Sequence, residues 1–419
     1  MRRPLYGWLG AEGVSLIGTR VSMIALPFFV LTTTGSPEKT GLVALVEMLP
    51  LVVLKVLGGP VIDRVGARRV AITCDWGSLA VVGAIPFLHQ AGLLSFPAFL
   101  GLVAVAGALR GPGDAAKHSM IPALATTADV PMERVTGLSS TVERTASMLG
   151  AAVAGGLVAV IGPANALVVD AASFGVSALL LAWAVPARSG RAAPDADGEE
   201  ADATPYVEQL REGWRFLRGD RVLVGITVMV SLTNLIDLAW AAVLVPVWGL
   251  THGGAGAVGA LFATFAGASA VGSLVAAARA DRLPRYATYL VCFLVTGLPR
   301  FLVMAVDTPL WGILAMAVIG GFASGFLNPI LGAVIYERVP ERLIGRVSSL
   351  STACCFALMP LGGLVGGFLV GGAGLGVAMV VCGVAYFVVT MLPAVDPRWR
   401  EIDRRPEPER AMDAARAAG

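Results

Sequence analysis

Long apolar runs, each closed by a short polar turn, recur along the whole chain. Runs near 9–33, 41–62, 70–90, 96–117, 135–160 and 164–186 are each long enough for a helix to cross about 30 Å of hydrocarbon, which takes about 20 residues. A second set lies near 222–247, 256–278, 286–305, 309–336, 345–370 and 373–393. The pattern predicts an all-α membrane protein of about twelve transmembrane helices in two groups of six. Arg110, Pro112 and Asp114 interrupt the fourth run. The first run follows Arg2 and Arg3, but it is too long for a cleavable signal and contains Glu12 and Arg20, so it reads as the first span.

The block 187–221 joins the two groups. Residues 189–205 are acidic and rich in alanine and proline, which suits a disordered linker. The stretch YVEQLREGWRFLRGDR that follows places Val207, Leu210, Trp214 and Leu217 at helical spacing, with Arg211, Arg215 and Arg218 on other faces. It predicts an amphipathic helix lying at the membrane interface. The chain then divides into an N-terminal six-helix half (1–186), a cytoplasmic linker (187–221), a C-terminal six-helix half (222–393) and a cytoplasmic tail (394–419).

Composition agrees with the pattern: 56% of the 419 residues are hydrophobic and 14% charged, against roughly a quarter charged in a soluble domain. The net charge of +2 averages over a very uneven distribution and gives no reason to expect nucleic acid. Arginine gathers in alternate loops. One carries Arg64, Arg68 and Arg69, the next Lys117 and Arg134, then Arg188 to Arg221, then Arg279, Arg282 and Arg285, then Arg338, Arg342 and Arg346. The loops between them hold Lys39 and little else, so both termini are expected in the cytoplasm.

The halves repeat one another. Pro131, Glu133 and Arg134 fall against Pro340, Glu341 and Arg342, Ser139-Ser140 against Ser348-Ser349, and Gly155-Gly156 against Gly366-Gly367. DRVGAR from Asp63 is echoed by DRLPRY from Asp281 at the same place in the second half. Duplication of this kind is common among transporters.

The stretch GGPVIDRVGARRV, between the second and third spans, resembles the G-x-x-x-D-R-x-G-R/K-R/K loop of the major facilitator superfamily. Gly59, Asp63, Arg64 and Gly66 fit, Arg68 and Arg69 supply the later basic positions, and Ala67 departs from one of them. Twelve spans, a long central loop and a degraded second copy (Asp281, Arg282 and Arg285) extend the likeness over nearly the whole chain. SLIGTRVSMIALPFFVL and GPGDAAKHSMIPAL look like the bacterial exporter branch that includes macrolide-efflux and enterobactin-exporter relatives. The resemblance implies a gating loop in which Asp63 approaches the helix beginning near Ile344, or Arg346 beside it, when the cytoplasmic side is shut.

Charged groups inside the spans are costly unless they face a cavity or a partner. Glu12 and Arg20 fall roughly on one helical face. Arg110 begins R-G-P-G-D-A-A, a partial match to the R-x-x-Q-G-x-G-A-A motif of proton-coupled antiporters, and lacks its glutamine. Asp114 and Glu143 are candidates to hold and release a proton. Permanent ion pairs are the competing reading for Glu143 with Arg144, and for Asp75 and Asp170. Ser231, Asn234 and Asp237 form a polar stripe in the seventh span, with Arg300 and Asn328 as further polar groups of that half. Asp237 either attracts a cationic substrate or accepts the proton that the substrate displaces, or it is a buried acid satisfied by Asn234 or a neighbouring helix. The glycine runs 150–156 and 362–367 allow close helix approach.

Enzymatic readings find little support. Lys39, Lys55 and Lys117 are the three lysines and none follows a glycine, so there is no phosphate-binding loop. His89, His118 and His252 are far apart, no metal site is expected, and the five cysteines show no C-x-x-C. No cofactor is expected. Together with the resemblance, these features suggest a monomeric exporter of an amphipathic small molecule, driven by protons, in a bacterial cytoplasmic membrane. Alternatives are a proton-coupled importer of a small metabolite, or a transporter-like receptor without transport.

Overall fold

Among the described residues, twelve helical segments long and apolar enough to cross a bilayer stand where the apolar runs do. The computed structural model describes residues 3–186, 206–279, 283–306, 308–340 and 343–403. The N-terminal half comprises α1 (Arg3–Thr34), α2 (Pro37–Leu57), α3 (Gly59–Val65), α4 (Ala67–Gln90), α5 (Phe96–Ser119), α6 (Ile121–Ala128), α7 (Met132–Ile161) and α8 (Pro163–Ala184). After α9 (Tyr206–Gly219), the C-terminal half runs α10 (Arg221–Ala239), α11 (Val245–Thr251), α12 (Gly254–Arg279), α13 (Arg285–Thr296), α14 (Leu298–Ala305), α15 (Leu310–Arg338), α16 (Ile344–Ala357), α17 (Leu361–Ala373) and α18 (Leu375–Val395). A π-helical turn, Trp240–Leu244, joins α10 to α11 within one span. Side chains such as Phe368, Leu274 and Val160 are exposed on the outer faces, where lipid tails meet them.

Three departures from the sequence pattern have local causes. The fourth run is not interrupted: α5 passes through Arg110, Pro112 and Asp114, because Arg110 finds a carboxylate, Glu47, on α2 at 3.0 Å. Lys117 is not a loop residue. It lies in α5, 4% exposed, and its Nζ donates to Asp75 Oδ1 at 2.9 Å and to Ser15 Oγ at 3.0 Å. The 58–70 stretch is not a plain loop: Gly59–Val65 form the short helix α3, α4 begins at Ala67, and the sharp reversal is confined to Gly66, whose φ of 95° suits a residue without Cβ.

One end of the bundle carries the arginines and the other carries short loops. At the arginine-rich end Arg68 donates through Nε to the Val185 carbonyl at 2.7 Å and through Nη2 to the Ala182 carbonyl at 2.8 Å. It thereby satisfies the open carbonyls at the end of α8 and ties the 58–67 loop to the sixth span. In the other half, Arg338 Nε donates to Asp220 Oδ2 at 2.8 Å and its Nη2 to Glu401 at 3.3 Å, while Asp220 Oδ1 caps α10. Burial opposes the Arg338 charge, yet the two carboxylates outweigh it and lift its pKa above the ordinary arginine value.

The halves meet at the short-loop end, along two seams of glycine. A Cβ on either Gly155 of α7 or Gly259 of α12 would lie 2.6 Å from the other's Cα. In the second seam, a Cβ on Gly363 of α17 would meet the Gly41 carbonyl of α2 at 2.8 Å, and one on Gly367 the Pro37 carbonyl at 2.7 Å. Only glycine permits this approach. Of the glycine pairs seen in the sequence repeat, Gly155 and Gly367 stand at the seams, whereas Gly156 has open space around it and Gly366 packs against Ala239 and Leu244 of its own half.

Candidate functional site

A cavity of about 430 Å³ lies between the halves, bounded by α1, α7, α12 and α15. Arg20, Glu143, Arg144 and Asn328 all line it, as do Met23, Phe262 and Phe265. Each helix brings its residue near mid-depth, so the cavity lies on the arginine-rich side of the glycine seams. Arg20 crosses from α1 to α7, donating through Nη2 to Ser147 Oγ at 2.7 Å. Gly150 makes room for it: a Cβ there would come within 2.9 Å of Arg20 Cγ. Glu143 and Asn328 have exposed side chains with no hydrogen bond or ion pair to any described residue. They face the cavity with their hydrogen-bonding capacity open. Glu143 does not pair with its neighbour Arg144, so a permanent ion pair at that position is not what the fold builds.

Several of the other intramembrane charges are spent on partners. Arg110 is bound by Glu47, and Asp75 by Lys117 with Ser177 Oγ donating at 2.6 Å. Asp237 pairs with Arg300, whose guanidinium carbon lies 4.9 Å from the Trp240 ring centre and 4.8 Å from those of Phe301 and Tyr386. Arg300 thus sits in a box of one acid and three rings, a favourable setting for a cation away from water. Asn234 donates to the Cys355 carbonyl at 3.0 Å rather than to Asp237. Glu12, 4% exposed, approaches His118 at 3.8 Å through Oε1, while its Oε2 has no partner. Asp114 is half-buried and its side chain makes no bond among the described residues.

The gating-loop residues are placed apart from their expected contact. Asp63 and Arg64 are exposed, and Asp63 has no partner among the described residues. Arg346 is engaged by α9: its Nη1 donates to Glu212 Oε2 at 2.8 Å. Gly213 lies against the Arg346 stem, and Leu217 is buried with Leu223, Leu343 and Val347. The α9 helix is therefore docked on α16, with Trp214 left exposed, instead of lying free on the interface. Gly59 has open space around it, and Arg69 is exposed. In the second copy, Arg285 grips Glu337 with two bonds of 2.6 and 2.7 Å, whereas Asp281 and Arg282 lie outside the described residues.

Sequence reasoning missed the cavity's apolar wall, Phe262, Phe265 and Met23, because apolar residues in an apolar helix carry no mark of which face they take. It also missed Glu47 and Lys117 as partners, since a pair formed across helices leaves no local spacing to read.

The chain matches proteins of known kind over nearly its whole length. It is 29% identical over 409 residues to the multidrug efflux pump Tap of Mycobacterium tuberculosis, covering 97% of this chain and 96% of that one. With Tap of Mycolicibacterium fortuitum it shares 27% over 410 residues, covering 97% and 99%. Its fold is that of the nucleoside transporter NupG, with a TM-score of 0.73 at 13% identity over 93% and 97% of the two chains. A POT family transporter superposes at 0.70, with 12% identity over 96% of both. The family model for the Major Facilitator Superfamily matches residues 9–254 and again 230–416. Since those two stretches take in both six-helix halves, the chain belongs to the Major Facilitator Superfamily, a family of multi-pass membrane transporters and not of enzymes.

Proposed function

We propose that this chain exports amphipathic organic compounds from a bacterial cell across its cytoplasmic membrane, in exchange for protons, by alternating access to one cavity. The cavity carries this reading. A wall of Arg20, Glu143 and Arg144 faces a wall containing Phe262 and Phe265 across about 430 Å³. Such a lining suits a molecule with an apolar body and a polar group. The relatives named multidrug efflux pumps support export over uptake.

Placing the arginine-rich end in the cytoplasm, as the positive-inside rule asks, puts both termini inside and the glycine seams outside. The cavity then opens inward in this state. In the opposite state the loop of Gly59, Asp63, Arg64, Gly66, Arg68 and Arg69 would swing toward α16, with Asp63 taking the place of Glu212 on Arg346. Glu143, open to the cavity and about one helical turn from Ser147, the partner of Arg20, is the acid best placed to hold either a proton or a cationic substrate, but not both at once. Glu12 and Asp114 lie in the same half as further proton sites. The chain would work as a monomer.

Growth inhibition across a panel of dyes and antibiotics, in a bacterial host stripped of its own efflux pumps, tests the reading. Resistance to several amphipathic compounds, abolished by a proton uncoupler, is expected. No resistance to any compound, with the protein verified in the membrane, would overturn export.

A further inference from the structure

We infer that Asp170 is a proton-binding site inside the N-terminal half, and that the Ser22 hydroxyl passes the proton between it and a small cavity at the seam with the other half. This rests on the antiport reading and deepens it.

Two aspartates of this half are almost fully buried, and they are treated differently. Asp75, 3% exposed, receives Lys117 Nζ at 2.9 Å and Ser177 Oγ at 2.6 Å, one donor on each oxygen. Asp170, 1% exposed, receives Ser22 Oγ on Oδ2, while the neighbouring Ser173 hydroxyl donates to the Asp170 backbone carbonyl at 2.7 Å. Its Oδ1 has no partner. That oxygen is walled by a glycine: a Cβ on Gly18 would come within 2.6 Å of it. No arginine or lysine among the described residues forms an ion pair with Asp170. A buried carboxylate beside neutral hydroxyls, with no cation bonded to it, is costly as an anion, and adding a proton removes that cost.

No charged group among the described residues of the packed helices bonds to Asp170, and Glu12 of α1 lies beside His118. On α1, Arg20 is bonded to Ser147; on α5 and α2, Arg110 and Glu47 are bonded to each other. On α4, Asp75 holds Lys117, and His89 stacks edge-on against Phe29, with centroids 4.9 Å apart. On α7, Glu143 and Arg144 face the large cavity. Arg110 and Glu47 are close enough for their charges to act on Asp170, and as a bonded pair they largely cancel.

A route to the site exists. Ser22 and Glu47 line a second cavity of about 40 Å³, whose far wall is Leu238, Ala241 and Ala242. A water needs roughly 10–15 Å³ by this measure, so one or two fit, with Ser22 and Glu47 as polar partners. Ala241 and Ala242 belong to the π-helical turn of the C-terminal half. Rocking of the halves must therefore reshape this cavity, which is what gating of a proton requires. In the transfer, a hydronium in the cavity gives its proton to Ser22 Oγ as the Ser22 hydroxyl proton passes to Asp170 Oδ2. A neutral carboxyl, an intact hydroxyl and a water result, and release runs the same steps backward.

Infrared difference spectroscopy of the purified full-length protein in lipid, titrated from alkaline to acid pH, tests the site without any substrate. Acidification should bring up a protonated-carboxyl band that is lost in Asp170→Asn and shifted in Ser22→Ala, which removes the hydroxyl's bond to it. If Asp170→Asn proves unstable, the Ser22→Ala shift is the deciding readout. Band sets unchanged in both variants, or in Ser22→Ala alone where Asp170→Asn does not fold, would overturn the proposal. The antiport reading fails separately: a band that titrates as described, in proteoliposomes whose ethidium transport ignores an imposed pH gradient, upholds the proton site and refutes the coupling.

Discussion

Arg346 of α16 donates to Glu212 of the linker helix α9 at 2.8 Å, so the basic group that faces the gating loop in sequence is held instead by the segment joining the halves. Closing the arginine-rich end by way of Asp63 therefore calls for an exchange of carboxylates on one guanidinium. Glu212→Ala should favour the closed arrangement, and Asp63→Asn should disfavour it. Spin labels on α3 and α16, read by pulsed electron resonance, should show the distance shortening in the first variant and lengthening in the second. No movement in either would show that Arg346 does not govern closure.

Removing the open charge of the large cavity should impair transport without harming the fold. Glu143→Gln leaves the helix and the cavity volume intact and removes a group that no described residue uses. If Glu143 makes one charge-assisted contact in the transport cycle, about 1.4 kcal/mol, the loss corresponds to about tenfold. Inhibitory concentrations in the efflux-stripped host, at matched membrane expression, should fall by about that factor. Phe265→Ala should change which compounds are resisted more than how strongly.

Lys117 and Asp75 predict a different outcome, one of stability. Lys117→Ala leaves Asp75 buried and unpaired, a loss of about 3–5 kcal/mol, whereas Lys117→Met combined with Asp75→Asn should recover most of it. Thermal unfolding in detergent, followed by the tryptophans, measures both. Equal melting of the single variant and the wild type would contradict the assignment of this pair to structure.

Asp237 should behave likewise, and not as a selector of cationic compounds. Asp237→Asn strips Arg300 of its carboxylate in the middle of a span, so poor accumulation in the membrane is expected across all growth conditions. Asp237→Asn with Arg300→Met should accumulate normally. A well-expressed Asp237→Asn with resistance lost to cations alone would reverse this prediction.

The seams predict a steric phenotype. Gly155→Val places two methyl groups where the Gly259 Cα now stands, 2.6 Å from the position of a Cβ. Cysteines introduced beside the seam should then react with a membrane-impermeant thiol reagent added from the short-loop side, and should be protected in the parent protein.

Most of this architecture was legible from the spacing of apolar residues. Span ends moved by only a few positions, because a helix in hydrocarbon stops where its backbone can first meet water, and loops such as Gly35-Ser36 or Gly162 mark those places by composition. Where inference failed, the deciding information lay between helices. Lys117 looks like a loop cation until Asp75 arrives from α4, and Arg110 looks like a helix breaker until Glu47 arrives from α2. The charged members of the large cavity could be named beforehand, because a charge in a greasy helix announces itself; Phe262 and Phe265 could not. Asp75 and Asp170 are alike in sequence, two acids in apolar spans, and differ only in which hydroxyls and amines the neighbouring helices happen to present.

The glycine seams carry a mechanical consequence. Their contacts are backbone against backbone, with no ion pair or hydrogen bond between Gly155 and Gly259 or between Gly363 and Gly41 to be broken when the halves part. What holds them is dispersion over a small, smooth area, and its competitor is lipid tails of the same polarity. Such a joint is indifferent to salt and pH. It answers instead to the sideways pressure of the surrounding membrane, so, on the proposed alternating-access cycle, the short-loop end should part more readily or less as acyl-chain length and packing change.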